Sequence, residues 1–364
     1  MCVLIPICIT HKLMNYTELT SIENLFQAWN EFKLGKRNRR DVQIFERFLE
    51  DNLFDLHEKL KNKTYRHGNY KSFFVHDPKL RHIHKATVED RIIHHLLYKY
   101  LYGVFDKIFI DHSYSCRLGK GTHKGVDRLD YFIRRISRNY IQTCWVLKLD
   151  IKKYFASVNH KVLILLLSKK IKDKDILWLL SQIIGSFCTC HPEQSERYKL
   201  YSSASPQNDC ECRGIPLGNL TSQVFANIYM NELDQFIKHK LKVKYYLRYA
   251  DDFIILSISK NDLNHLIKPI ELFLKEKLKL DLHPDKIIFR RFEWGIDFLG
   301  YLIFKHHRLP RTKTKRRIFK KLKYKVGNDN FNQSFQSYLG YLQHANSFKL
   351  TQQLKNQIWF WEHQ

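Results

Sequence analysis

Two carboxylates stand side by side in the run Tyr245–Leu256, YYLRYADDFIIL: Asp251 and Asp252. Apolar residues flank them on both sides, so the run reads as two strands of a hairpin with the acids at or beside its tight turn. Neighbours that seek burial argue against a solvated charge run. Buried carboxylates need a cation, and two in sequence suggest a divalent metal. An ordinary Asp-containing β-turn is the competing reading. A third acid, Asp150, ends the short apolar strand Val146–Leu149 in CWVLKLDIKKYFASVNHKVLILLL. That position suits a metal ligand and, equally, a simple strand-end residue. Three carboxylates on two neighbouring strands could hold two Mg²⁺ ions roughly 4 Å apart, an arrangement suited to phosphoryl transfer.

The composition says what such a site would act on. The 364 residues carry 62 Lys and Arg against 36 Asp and Glu, a formal charge of +26. That excess points to a polyanionic partner, most simply nucleic acid, with an anionic membrane surface as the alternative. A hydrophobic content of 44% marks a folded chain, long enough for two or three subdomains. No apolar run approaches the roughly 20 residues that span a bilayer. The opening stretch Cys2–Thr10 is short, contains Pro6 and lacks a basic region before it, so it reads as a mature N-terminus and the protein as cytoplasmic. Eight cysteines in such a chain do not suggest a disulfide framework. Cys188, Cys190, Cys210 and Cys212, with His191, could form a zinc clip; a hydrophilic insert with incidental thiols is the simpler reading.

Several elements must position these groups. Residues 18–62 have helical spacing, interrupted by the basic turn Gly35–Arg40. Tyr65–Ile83 alternates like strands, with Asp77-Pro78 as a turn signal, and a helix begins at Thr87, where Asp90 completes a capping-box variant. Asp111–Asp130 mixes Gly119, Gly121 and Gly125 with Arg117, Lys120, Lys124 and Arg128, a composition that admits a phosphate backbone closely. Asn159 caps a helix after Asp150. A polar insert spans Thr189–Pro216, and a strong helix follows the glycine turn before Asn219. A further helix carries Ile270, Phe273 and Leu274, with Pro269 near its start. Strands are expected around Lys286–Phe289 and Phe298–Phe304. The tail Lys305–Lys325 holds eleven Lys or Arg and no acid, with Ile318, Phe319 and Leu322 at helical spacing. Contact with a nucleic-acid backbone suits it better than a membrane. A last helical region covers Ser337–Ala345.

In this order the residues resemble reverse transcriptases, from about Phe74 to Tyr341. LKLDIKKYFASV resembles the first catalytic motif of that family and YADD the second. The resemblance implies an α+β right-hand polymerase fold: a helical N-terminal extension (1–66), fingers and palm (67–304) with an antiparallel sheet backed by helices, and a basic helical thumb (305–364). It implies RNA-directed DNA polymerase activity with two Mg²⁺ ions, or Mn²⁺, on Asp150, Ile151, Asp251 and Asp252. Lys286, in HPDK, is similar to the lysine that protonates departing pyrophosphate. Phe155 would lie under the nucleotide sugar and exclude a ribose 2′-hydroxyl. Arg81 and Lys79 match finger cations that hold the triphosphate, and Ile151, Leu217, Gly218 and Gln223 complete the nucleotide contacts. FLGY, with Leu299 and Gly300, resembles the strand that grips the primer. Nucleic-acid contacts would come from Arg91, Arg117, Lys120, Lys124 and Tyr249, and in the thumb from Arg311, Lys313, Lys315, Arg316 and Lys320.

One departure narrows the resemblance. Where most of the family has QGxxxSP, this chain has LGNLTSQ, Leu217–Gln223. That pattern, with DHSYSCRLGKGTHKG, resembles the enzymes of diversity-generating retroelements. It implies cDNA with frequent errors at template adenines, replacement of part of a target gene by the variant copy, and a pentameric basic accessory protein as partner. A leucine can only pack where an amide would hydrogen-bond, and losing that restraint lowers discrimination. A group II intron-like or phage-defence reverse transcriptase is the alternative, although with Gln364 so soon after the thumb no maturase-sized or endonuclease domain is expected. A non-catalytic RNA-binding protein with a polymerase fold is the third reading, disfavoured by the three retained aspartates.

Overall fold

The computed structural model describes residues 14–76, 79–189 and 211–363. The opening stretch, the Asp77-Pro78 turn, and Cys190, His191 and Cys210 of the polar insert, on which a zinc clip is the less favoured reading, lie outside them. Among the described residues four helices lead: α1 Tyr16–Leu19, α2 Ile22–Lys33, α3 Arg40–Arg47 and α4 Leu49–Lys61. Ser21 caps α2, whose Leu25, Ala28, Trp29 and Phe32 are buried at the i, i+3, i+4, i+7 spacing of one helix face. A hairpin follows, β1 Lys71–Val75 and β2 Arg81–Lys85, then α5 Val88–Phe105. Thr87 Oγ1 accepts from the Asp90 backbone N–H at 3.2 Å and donates to its carboxylate at 2.6 Å. Strand structure is absent from residues 65–70, contrary to the alternating pattern. There the Tyr65 hydroxyl and the Gly68 N–H both bind Asp90, which draws the segment onto the head of α5 instead.

Helix α6, Thr122–Ile136, precedes the central sheet. Its strands are β3 Trp145–Asp150, β4 Tyr246–Tyr249, β5 Asp252–Ser257 and β6 Ile288–Arg291, antiparallel in the order β4-β5-β3-β6. Between β3 and β4 run α7 Tyr154–Ser157, α8 His160–Ser168, α9 Lys174–Gly185 and α10 Leu220–Gln235. As expected, Asn159 caps α8 by accepting from Val162 N–H at 3.1 Å. Alternation along the strands sorts their side chains to two faces. Leu147, Leu149, Phe253 and Ile255 join one large core with α2, α4, α5, α8 and α10. Val146, Ile254 and Leu256 join a second core with Val126, Leu129 and Ile133 of α6. The N-terminal helices thus share the main core of the sheet.

Helix α11 spans Lys260–Phe273 and starts at the Ser259 cap, so Pro269 sits inside it and not near its start. Lys286 lies in a short 3₁₀ turn opened by Pro284, which delays β6 to Ile288. The expected strand Phe298–Phe304 is a hairpin, β7 Ile296–Phe298 and β8 Tyr301–Ile303, extended by β9 Arg308–Pro310. Leu299 and Gly300 turn it with φ of 47° and 95°. The tail forms α12 Thr312–Lys323, α13 Phe331–Gln343 and α14 Phe348–Glu362, around a separate small core that includes Ile318, Leu322, Leu342 and Leu354. Among the described residues no helix is long and apolar enough to cross a membrane.

Candidate active site

The aspartates meet because of strand register. Asp150 ends β3 directly opposite Asp252, which begins β5, and Asp251 occupies the turn between β4 and β5. By alternation Asp150 and Asp252 share the face of Val146 and Ile254, the side lined by α6 and the β7–β8 hairpin. Ala250, with φ of 56°, makes the tight turn that brings Asp251 round.

Two lysines face the carboxylates. Lys286 Nζ donates to Asp150 at 2.8 Å, and Lys148 Nζ lies 2.9 Å from Asp252 Oδ2. Lys148 also donates to the Asp297 carbonyl at 3.2 Å and stands over the Phe298 ring, so it spans from the carboxylate pair to β7. Burial, with the charge of Asp150 next, raises Asp251 to about 6. Burial also raises Asp252, against the pull of Lys148.

The donor set fits a hard divalent cation. Asp252 Oδ1 is buried with no hydrogen-bond partner, and Asp251 is held above its usual range by lost hydration and like charge. Such oxygens are what Mg²⁺ or Mn²⁺ coordinates. Among the described residues no three His, Cys, Asp or Glu side chains are already gathered around a point. Here the lysine ammonium groups compensate the charge of Asp150 and Asp252. Ile151, fully buried, bridges to Leu282, and the Asp150 carbonyl accepts from His283 N–H at 2.9 Å, which fixes the chain just after the first aspartate.

The other expected residues divide into three groups. Lys79 and Arg81 sit on the exposed end of the β1–β2 hairpin. Phe155 packs on the main core from α7, its carbonyl accepting from Ile215 N–H. Leu217, Gly218 and Gln223 lie at the head of α10, where Gln223 Oε1 is buried without a partner. Tyr249 meets Thr122 at the start of α6. On α12, Lys313, Arg316 and Lys320 are exposed and Lys315 half-buried, while Arg311 pairs with Asp297. Leu299 and Gly300 form the β7–β8 turn, held by the Tyr341 hydroxyl, which donates to the Gly300 carbonyl at 2.7 Å.

The cations of the third group already have partners within the chain. Arg117 is buried, binding Asp106 at 2.6 Å and the carbonyls of Ile110 and Ser113, so it braces the loop from within. Arg91 is paired with Asp41 and packed over Phe32. Lys120 is paired with Asp111, and Lys124 caps the Gly119 carbonyl. Glycine-rich loops expose carbonyls as well as N–H groups, and here the cations satisfy them.

Two side chains escaped the sequence reading. Lys148 could have been found from period two, since it precedes Asp150 by two residues and must share its face. Arg248, within LRYADD, is fully buried; a cation inside an apolar strand signals a buried acid elsewhere. That acid is Asp234 of α10.

Resemblance to known proteins covers the same elements. The family profile described as reverse transcriptase (RNA-dependent DNA polymerase) matches residues 71–303, from β1 through β8. The group II intron-encoded protein LtrA of Lactococcus lactis subsp. cremoris is 25% identical over 320 residues, covering 70% of this chain and 50% of that protein. The putative COX1/OXI3 intron 2 protein of Saccharomyces cerevisiae is 25% identical over 220 residues, 45% of this chain and 24% of that one. The chain therefore spans half or less of the length of these curated relatives. Among solved structures, apo telomerase from Candida tropicalis truncated from its C-terminal domain superposes with a TM-score of 0.44 at 12% identity, over 71% of this chain and 60% of that chain.

Proposed function

We propose that this chain, which belongs to the reverse transcriptase family, copies an RNA template into cDNA as an RNA-directed DNA polymerase. The observation that carries the reading is the register that opposes Asp150 to Asp252, with Asp251 in a desolvated turn beside them. Asp150, Asp251 and Asp252, with Ile151, would hold Mg²⁺ or Mn²⁺. Held by these residues, two such ions would supply Lewis acidity to an attacking hydroxyl and positive charge to a leaving pyrophosphate. Lys286, whose Nζ lies 2.8 Å from Asp150, would meet the departing pyrophosphate within the site. Arg81 and Lys79 would meet the triphosphate from the hairpin tip, Phe155 would exclude a 2′-hydroxyl, and the basic face of α12 would follow the template–primer backbone. Asp251→Ala is expected to abolish Mg²⁺-dependent cDNA synthesis while RNA binding persists; full residual synthesis would overturn the assignment.

The finer proposal is that synthesis is error-prone at template adenines and serves mutagenic retrohoming in a diversity-generating retroelement, with a pentameric basic accessory protein. Leu217 and Gln223 in LGNLTSQ support it, as does the unpartnered Gln223 amide oxygen at the helix head. Likeness to a group II intron-encoded protein favours a second reading, an intron-type reverse transcriptase. Sequencing cDNA made by the wild type and by Leu217→Gln separates them. Adenine-directed errors that fall in the variant support the first reading; equal, evenly spread errors support the second.

A further inference from the structure

The head of α10 is tied to the fingers at three alternate residues. The Leu217 carbonyl accepts from the His84 N–H of β2 at 2.9 Å. Asn219 Nδ2 returns a hydrogen bond to the His84 carbonyl at 3.3 Å. Between them Gly218, with φ of 116°, lies so close that a Cβ there would stand 2.8 Å from Ile83 Cγ2. Two residues on, Thr221 Oγ1 sits 2.7 Å from His94 Nδ1 of α5. Asn219, Thr221 and His94 are all almost completely buried.

The latch continues inward. His94 Nε2 lies 3.3 Å from His67 Nε2, and the other nitrogen of His67 lies 2.7 Å from the Gly68 carbonyl. Gly68 N–H in turn binds Asp90 on α5. A buried polar chain thus runs from the N-terminal end of the fingers to the first turn of α10. Buried polar groups keep such partners because an unmade bond costs the full desolvation of the group. Helix α10 would bury its apolar positions without Asn219 or Thr221, so these side chains fix its placement against β2 rather than its formation.

We propose that Asn219 and Thr221 are positioning residues that set Leu217 against finger strand β2 and thereby tune nucleotide selection. The inference rests on the reading that Leu217 faces the incoming nucleotide or its template base. Strand β2 also begins at Arg81, so one strand carries the expected triphosphate cation and the residue that anchors Leu217. The two nucleotide-facing groups then shift together, and a loosened latch misplaces both. Displacements of this kind, small in distance, are large in rate.

The test is steady-state nucleotide incorporation on an RNA template, with melting curves to establish folding. Thr221→Val keeps the shape and removes the hydroxyl; Thr221→Ser keeps the hydroxyl. Thr221→Val and Asn219→Ala are each expected to raise the deoxynucleotide KM about tenfold with a smaller change in kcat and to alter the misincorporation spectrum. Thr221→Ser restores both. If Thr221→Val does not fold, Asn219→Ala carries the comparison. Unchanged KM and spectrum in Thr221→Val and Asn219→Ala, with Leu217→Gln altering them, would overturn the latch. If Leu217→Gln also leaves both unchanged, the nucleotide-facing reading of Leu217 fails, and the latch with it.

Discussion

Arg248 and Asp234 form a two-pronged ion pair entirely withdrawn from solvent. Arg248 Nε donates to Asp234 Oδ1 at 2.8 Å, and its terminal nitrogen to Oδ2 at 2.6 Å. The guanidinium also donates to the Ala250 carbonyl at 2.9 Å and to Ser113 Oγ at 3.1 Å. One side chain therefore joins α10, the loop before α6 and the turn that carries Asp251.

Arg248→Met leaves the Asp234 carboxylate buried without a cation, the Tyr246 hydroxyl still donating to it at 2.6 Å, and breaking such a pair costs about 3–5 kcal/mol. Urea denaturation should show a loss of that size. Removing both charges with Arg248→Met and Asp234→Leu should recover most of it. A double variant as unstable as the single would show that the pair is not what holds the turn.

Asp251 supplies a pH dependence. Burial, then the charge of Asp150, raises it from 3.8 to about 6. Folded, metal-free protein therefore keeps a proton that the unfolded chain releases at lower pH. The stability from neutral Asp251 is complete below about pH 4 and lost as pH climbs through about 6. Relative to Asp251→Asn, metal-free wild type should lose melting temperature across that window, and Mg²⁺ affinity should rise across it. A difference between the two proteins that stays flat with pH would refute this.

Lys148→Met removes the cation beside Asp252. In EDTA the variant should be less stable by about 1.5–3 kcal/mol, the range for a hydrogen bond to a charged group. Added Mg²⁺ supplies positive charge to the same carboxylates, so the stabilisation by Mg²⁺ should be larger than in wild type. Melting curves with and without Mg²⁺ measure this directly; an unaltered Mg²⁺ increment would count against it.

Tyr341→Phe deletes the donor to the Gly300 carbonyl, while Tyr301 still donates to the Tyr341 carbonyl at 2.9 Å. The β7–β8 turn should loosen against α13, at a cost of about 1 kcal/mol. Shorter cDNA products at unchanged single-nucleotide incorporation are expected. Products of wild-type length would separate this contact from the grip on the primer.

Much of this was legible in the residues. Apolar runs around Asp150 and around Asp251-Asp252 marked β3, β4 and β5, because strands buried on both faces leave little else for the sequence to say. Asn159 and Thr87 marked helix starts through their own side-chain chemistry. What escaped depends on which partner a residue finds, near or far. The strand-like pattern of 65–70 yields to Asp90, the cations of the glycine-rich loop turn to local carboxylates and carbonyls, and Pro269 is carried within a helix whose cap lies ten residues earlier. Likewise the pairing of Arg248 with Asp234 joins residues on different elements, and no local spacing encodes it.

The strand order has a consequence for synthesis of the chain. Strand β3 lies inside the sheet, yet both its neighbours follow it, and Lys286 reaches Asp150 across a separation of 136 residues. Until those segments leave the ribosome, β3 has apolar side chains on both faces and no partner along either edge. Long-range pairings of this kind close slowly and leave sticky intermediates. The carboxylate cluster therefore cannot close until β5 has emerged, and the helical N-terminus, made earlier, shares the core that β3 must wait to complete.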